Sequence, residues 1–455
     1  MDLIIKGATV VTATEMYAAD VAVKDGKIAA IGTDLDFESD QIIDATGKLL
    51  LPGAIDAHTH MQMPFGGTVS ADSYLSGTRA AVCGGVTTVF DYPVQHKGET
   101  ILGLIGSKKE ILEKDACCDY AFHCCITNLN DGQILDEMEE AVEKGITSFK
   151  CFLVYKKEGM MVDDGMLATL LLRAKELGAM INVHAENPDL IDLNIAKFLK
   201  EGKTDAWYHY LSRPEFVEAE ADKRVVHWAT HLDAPVYIVH MADKEGLEAC
   251  IQAKEAGHEV FVETCPQYLE FTCDVYKRER GRDFVCSPPM KGEESKDALW
   301  KALKAGFIDT VATDHCPFQS YEKDWGKDDF TKIPNGCAGV ENLYPYMLDA
   351  ANAGKISFEK AVEVCSTNVA KIFGCDHKGA IAVGKDADIV IYDKDKDFTI
   401  SVSNMHSDYD HTIWEGKTLH GYPVQTYLRG KLVYNDGEYV GTPGDGEYVK
   451  RSSRK

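Results

Sequence analysis

The sequence lacks the features that mark several common functional classes. No Cys-x-x-Cys pair occurs among its 14 cysteines, so zinc fingers and redox motifs built on that spacing are excluded. It has no apolar run of about 18 residues, so no membrane-spanning helix is predicted. The N-terminus, MDLIIKGATVV, has neither the basic stretch nor the long apolar core of a secretory signal. We therefore expect reduced thiols and a cytoplasmic location.

Positive charge is also scarce. Lys and Arg total 48 against 73 Asp and Glu, a formal net charge of −25. Such an acidic surface repels phosphate groups, so we expect neither nucleic acid nor an anionic membrane as a partner. Gly416-Lys417-Thr418 resembles the end of a phosphate-binding loop, but His411 occupies the position of its first glycine. The basic C-terminal segment VKRSSRK is predicted to be a solvated tail.

The two ends of the chain differ from its middle. Residues 1–50 and the stretch from about Ala387 alternate apolar and polar residues around short turns, a pattern typical of strands. Between them, short apolar strands alternate with helical stretches, several of which end in glycine. The candidate strands are residues 54–60, 86–92, 120–126, 147–153, 180–186, 235–241, 259–265 and 309–315.

This order predicts an α/β fold with a (β/α)8 TIM barrel in residues 51–379. A small β-sandwich domain is predicted from both termini, residues 1–50 plus 380–455. Two alternatives remain: the strands could form an open doubly wound sheet, or the two ends could form separate caps.

Six residues that can bind metals or protons lie at the ends of predicted strands or within them. They are His58, His60, Lys150, His184, His240 and Asp314. In a barrel, the carboxyl ends of the strands converge where active sites lie. A single histidine there is usually a packing residue, but four imidazoles and a carboxylate together predict a site for zinc or another divalent metal. His315 adjoins Asp314, and strand alternation turns it away from that site.

Lys150 is unusual because it lies in an apolar strand, Ser148-Phe149-Lys150-Cys151-Phe152. Burying a charged amine is costly. The amine could form an ion pair or extend to solvent. Alternatively, neighbouring cations lower its pKa, and the neutral amine adds carbon dioxide to form a carbamate that bridges two metals.

Several segments together resemble the hydantoinase/dihydropyrimidinase family of cyclic amidohydrolases over nearly the whole chain. They are GAIDAHTHMQMPFGGTVSADSY, SFKCFLVYKK, NVHAEN, YIVHMAD, ETCPQYL, CSPPMK, VATDHCPF and IPNGCAGVEN. The resemblance implies a homotetramer with two zinc ions per site. His58, His60 and Asp314 would bind one ion, and His184 and His240 the other. Carboxylated Lys150 and a hydroxide would bridge them.

The resemblance also implies a reaction, the opening of dihydropyrimidine or 5-substituted hydantoin rings to N-carbamoyl amino acids. Asp314 would act as general base and then general acid, and Tyr155 would stabilise the oxyanion. Ser287 and Asn335 would bind the cyclic diamide through backbone groups. Taken alone, Tyr155 also fits a packed loop aromatic, and Ser287 and Asn335 also fit turn residues.

Two departures from the bacterial D-hydantoinase pattern favour dihydropyrimidines. Gln62 stands where many D-hydantoinases have Asp, and the loop Lys156–Met161 is longer and lacks their aromatic residue. Allantoinase and dihydroorotase are rival enzymes, but they have different residues after His-x-His. Non-catalytic dihydropyrimidinase-related scaffolds, the collapsin response mediator proteins, have lost metal ligands. All six positions are present here, which favours an enzyme.

Overall fold

The structure, a computed structural model, describes residues 1–454. Its strands, in chain order, are β1 (Leu3–Val11), β2 (Met16–Lys24), β3 (Lys27–Gly32), β4 (Gln41–Asp44), β5 (Leu49–Pro52), β6 (Ala54–Thr59), β7 (Pro64–Phe65), β8 (Thr68–Val69), β9 (Val86–Asp91), β10 (Asp119–Phe122), β11 (Cys124–Cys125), β12 (Ser148–Phe152), β13 (Met180–His184), β14 (Val236–Ile238), β15 (Val260–Thr264), β16 (Thr310–Val311), β17 (Ile389–Thr399), β18 (Thr418–Leu428), β19 (Lys431–Asn435) and β20 (Glu438–Tyr439).

The helices lie mostly between the central strands. They are α1 (Tyr74–Cys83), α2 (Ile101–Asp115), α3 (Gln133–Glu143), α4 (Asp164–Leu177), α5 (Pro188–Lys200), α6 (Ala206–Ser212), α7 (Glu215–Leu232), α8 (Lys244–Glu255), α9 (Pro266–Glu270), α10 (Glu293–Ala305), α11 (Ser320–Lys323), α12 (Leu343–Asn352), α13 (Phe358–Val362) and α14 (Asn368–Phe373). None of them, within residues 1–454, combines the length and the apolar character that crossing a bilayer requires.

Parallel pairing of the central strands forms a closed barrel. β6 pairs with β9 and β9 with β10, while β11 pairs with β12 and the pairing continues in order to β16. His123 separates β10 from β11, which are two halves of the third barrel strand. The ring closes where the His60 N–H donates to the His315 carbonyl at 2.8 Å. The predicted barrel is therefore confirmed and the open-sheet alternative is wrong, because first and last strands join.

Strands from both ends of the chain share one nine-stranded sheet, in the order β20-β19-β18-β17-β5-β1-β2-β3, with β4 paired to β1. β5 from the N-terminal part runs antiparallel to β17 from the C-terminal part. One apolar cluster is filled from both ends, with Leu3, Val10 and Leu50 beside Ile389 and Tyr427. The alternative of separate caps is wrong, because β5 and β17 exchange backbone hydrogen bonds.

The prediction of a solvated C-terminal tail is wrong. Arg451 is only 3% exposed, and its guanidinium donates to the Ser148 hydroxyl at 2.7 Å and to the Phe122 carbonyl. The same guanidinium lies 5.0 Å from the centre of the Phe90 ring. The Ser452 N–H donates to the Gly374 carbonyl at 2.8 Å. Composition marks these residues as basic, but only the folded barrel supplies their acceptors and aromatic faces.

A buried ion-pair network connects the barrel to the terminal sheet. The Lys378 amine is almost completely buried and lies 2.6 Å from Asp119 at the start of β10. It also lies 2.6 Å from Asp388 and 3.1 Å from Asp386, both just before β17. Arg429 adds a second cation on Asp119. Each buried carboxylate therefore has a cationic partner.

We expect Lys378→Met to lower the free energy of unfolding by about 3–5 kcal/mol, because it leaves buried carboxylates without their cation. Lys27→Met is the matched control, since Lys27 contacts the same Asp386 from a side chain that is 47% exposed. That control should change stability by no more than about 1 kcal/mol. Urea denaturation of both variants measures the difference, and equal effects would contradict the prediction.

Candidate metal centre

The six predicted groups meet at the carboxyl end of the barrel as two sets of donors and one amine. Asp314 Oδ1 lies 3.2 Å from His58 Nε2 and 3.1 Å from His60 Nε2. On the other side, His240 Nε2 lies 2.9 Å from His184 Nδ1. The Lys150 amine lies 3.5 Å from His58 Nε2. The strand ends thus bring together donors that are far apart in sequence, as barrel geometry requires.

Lys150 forms no ion pair within residues 1–454, and its exposure is only 1%. The interpretations of an ion pair and of a side chain that reaches solvent are therefore both wrong. The amine instead lies over the Tyr92 ring at 4.5 Å and the Phe152 ring at 5.2 Å. Burial lowers the pKa of Lys150. A neutral amine is the form that can add carbon dioxide.

Acidic residues that the sequence analysis missed orient the histidines. Glu263 Oε1 lies 2.6 Å from His58 Nδ1, and Glu186 Oε2 lies 2.9 Å from His184 Nε2. Arg213 donates to Glu186 at 2.7 Å. Such contacts fix the ring plane and direct the other nitrogen toward a metal. A signal was available for Glu263, which stands as a charge within the apolar strand β15.

The imidazoles are held in the form that binds metals. Burial lowers the pKa of His58 and of His240 well below the usual range. Both rings are therefore neutral, and neutral imidazole is a common ligand for zinc. The same burial raises the pKa of Glu263 to about 8. The donor set of four imidazoles and one carboxylate beside a buried amine fits divalent transition ions.

Three residues around this centre have left-handed backbone conformations. The φ angles are 66° at Tyr155, 42° at His240 and 53° at Asp314. Non-glycine residues in this region carry backbone strain, which typically persists where function requires a particular side-chain direction. No sequence pattern reveals these angles, because they depend on the packing of the loops after the strands.

A small cavity adjoins the donors, and the three other predicted residues, Tyr155, Ser287 and Asn335, line it. The Asn335 amide donates to the Ser287 hydroxyl at 2.8 Å. The Tyr155 ring packs 5.1 Å from the Phe65 ring, and burial raises the pKa of its phenol well above the usual range. Tyr155 therefore remains protonated and can donate a hydrogen bond into the cavity.

His315 lies apart from the metal donors, as strand alternation predicts. Its Nε2 lies 2.9 Å from Asp72 Oδ2, and its Nδ1 accepts from the Gly339 N–H at 3.0 Å. Both nitrogens therefore have protein partners. These contacts fix the chain next to Asp314 at the point where the barrel closes.

Comparisons with known proteins all point to one family. The model of the amidohydrolase family matches residues 49–433. The D-hydantoinase of Geobacillus stearothermophilus is 41% identical over 458 residues, 99% of this chain and 97% of the relative. The dihydropyrimidinase of Rattus norvegicus is 39% identical over 461 residues, 99% of this chain and 88% of the relative. The crystal structure of dihydropyrimidinase from Brevibacillus agri NCHU1002 superposes with a TM-score of 0.98 at 42% identity, covering 100% of both chains.

We expect Glu263→Gln to weaken metal binding by about 10–100-fold, because His58 loses the carboxyl group that orients its ring. Metal affinity is measured by competition with a chromophoric chelator. Glu259→Gln is the control, since the Glu259 side chain is exposed and pairs with Arg454 just before the same strand. Unchanged affinity in Glu263→Gln would show that this carboxylate has no positioning role.

Proposed function

The chain belongs to the amidohydrolase family, and we propose that it opens the cyclic diamide ring of dihydropyrimidines or 5-substituted hydantoins to N-carbamoyl amino acids. The observation that carries this proposal is the unpaired, buried Lys150 amine beside two sets of metal donors at one cavity. Relatives named D-hydantoinase and dihydropyrimidinase match nearly the full chain, which supports a hydrolase acting on cyclic amides. Gln62 and the loop after Tyr155 favour dihydropyrimidines within that class.

We assign two zinc ions to this centre. His58, His60 and Asp314 would hold one, and His184 and His240 the other. The Lys150 amine, in its neutral form, would add carbon dioxide, forming an N–C bond and releasing one proton, to give N6-carboxylysine. Its two oxygens suit it to bridging. When bound, the two ions would supply Lewis acidity at the amide carbonyl and lower the pKa of a water molecule.

The residues of the chain supply proton transfer and orientation. Asp314 would accept the proton of the attacking water and return it to the ring nitrogen as the C–N bond breaks. The protonated Tyr155 phenol would donate a hydrogen bond to the oxyanion, since it faces the same cavity. The backbone at Ser287 and Asn335 would bind the ring amides. The left-handed backbone at Tyr155 and Asp314 would fix the directions of both side chains.

Further parts of the proposal concern organisation and setting. We propose two domains, residues 51–379 and residues 1–50 plus 380–455, which the shared apolar cluster of both termini supports. We propose a homotetramer on the basis of the family resemblance.

A reducing, cytoplasmic setting is proposed because all 14 cysteines are free thiols and only Cys273 is not fully buried. The partner is then a small cyclic diamide.

We expect Lys150→Ala to lose both metal ions and activity, because the bridging carbamate cannot form. The measurements are metal content per chain and the rate of dihydrouracil hydrolysis. Lys156→Ala is the matched control, since its amine is exposed on the neighbouring loop and forms only a long surface ion pair. Mass spectrometry of the intact wild type should show one added carbon dioxide. Full activity in Lys150→Ala would reject the bridge.

We expect kcat/KM to be highest for dihydropyrimidines in a panel of dihydrouracil, dihydrothymine, hydantoin, phenylhydantoin and allantoin. The physical reason is that the loop Lys156–Met161 lacks the aromatic residue of D-hydantoinases, and Met160 lines the cavity from that loop. A strong preference for allantoin would overturn the proposed substrate class. A wild-type protein that binds no zinc and carries no carbamate would instead indicate a non-catalytic scaffold.

A further inference from the structure

Three buried carboxylates form a second cluster behind the catalytic centre. Glu218 and Asp222 lie one turn apart on α7, and Asp243 precedes the first turn of α8. Oxygen atoms of the three residues all lie within 4.8 Å of one another. The three residues are at most 2% exposed. None of them lines the catalytic cavity.

Each carboxylate has one buried oxygen that accepts no hydrogen bond. Glu218 Oε1 accepts from the Ala242 N–H at 2.8 Å, and Asp243 Oδ1 accepts from the N–H groups of Glu245 and Gly246. These backbone bonds fix the two side chains. The other oxygens, Glu218 Oε2, Asp222 Oδ2 and Asp243 Oδ2, are buried and have no hydrogen-bond partner in residues 1–454. Unpartnered buried carboxylate oxygens are costly unless a ligand satisfies them.

The nearby cation does not balance this charge. Lys291 Nζ lies 3.1 Å from Glu218 Oε2 without hydrogen-bond geometry, and it donates to the Arg213 carbonyl at 3.2 Å. This single ammonium pairs with Glu218 alone, so Asp222 Oδ2 and Asp243 Oδ2 have no cation beside them among residues 1–454. Burial raises the pKa of Glu218 to about 8 and that of Asp243 to about 6, which shows how unfavourable the uncompensated charges are.

Gly246 keeps the space between the carboxylates open. A Cβ atom at this position would lie 2.3 Å from Asp222 Oδ2 and 2.8 Å from Asp243 Oδ2. Glycine near the start of a helix costs stability relative to alanine. Here it allows α8 to approach α7 with two acidic oxygens directed at the same space. The cluster is therefore a group of hard oxygen donors around the space next to Gly246.

We propose that Glu218, Asp222 and Asp243 bind a hard divalent cation, Ca²⁺ or Mg²⁺, at a site separate from the catalytic metal centre. Carboxylate oxygens are the ligands that these ions prefer. One divalent ion supplies the missing partner of the Asp222 and Asp243 oxygens and can share Glu218 with Lys291. The ion joins α7 to the start of α8 and so stabilises this part of the helical layer around the barrel.

The test uses the zinc-loaded, full-length protein, freed of Ca²⁺ and Mg²⁺ by gel filtration. Isothermal titration with CaCl₂ and, separately, with MgCl₂ should show one equivalent bound per chain for at least one of them. The melting temperature should rise with the concentration of that ion, because the ion binds only the folded state. Asp222→Asn should bind at least tenfold more weakly. In cation-free buffer the same variant should melt above the wild type, because one uncompensated buried charge is removed.

Glu248→Gln is the matched control, since it removes one exposed carboxylate from α8 and should bind like the wild type. Gly246→Ala provides a second variant if Asp222→Asn does not fold, because its Cβ would block the space between the carboxylates while all three of them remain. Absence of saturable binding in the wild type, or unchanged binding in the variants, would overturn the proposal. A wild type stabilised by acid but not by either cation would overturn it too, and would identify protons shared among the carboxyl groups.

Discussion

Closure of the parallel barrel is the constraint on which the rest of the structure depends. Every barrel strand must find a partner on both sides, and the last pairing joins His60 to His315 across the chain. Once that bond forms, the carboxyl ends of all the strands face one point. The same closure places the Asp56 carboxylate 3.1 Å from the Thr313 N–H, which holds the segment before Asp314 in position. The donor geometry is therefore a consequence of the ring.

Three clusters of buried ionisable groups differ in how their charges are compensated. Around Lys378, every carboxylate has a cationic partner, and the network joins the barrel to the terminal sheet. Around Lys150, an amine without a counter-ion lies among neutral imidazoles, a state that favours chemical modification and metal binding. In the cluster of Glu218, Asp222 and Asp243, acidic oxygens remain without partners. A cluster whose buried charged groups all have partners indicates a structural role. A cluster whose buried groups lack partners indicates a ligand site.

Buried glutamates hold the histidines of the metal centre in position. Glu263 contacts His58 and also accepts hydrogen bonds from the Tyr237 hydroxyl and the His240 N–H. One side chain thus orients members of both donor sets. Glu186 does the same for His184 and is held in turn by Arg213. Such support explains how a site made of loop and strand-end residues keeps a fixed geometry.

The sequence by itself determined the order and type of the elements and the candidate residues of the site. Short apolar segments between helical stretches located all eight barrel strands, because both patterns are local. The sequence also reveals the His58-x-His60 motif by its spacing and Lys150 by its apolar neighbours. Tertiary structure alone decided the left-handed backbone at Asp314, the contact between Glu263 and His58, and the burial of Arg451 in a tail that looked solvated. These features depend on contacts between residues far apart in the chain, and local periodicity carries no information about such contacts.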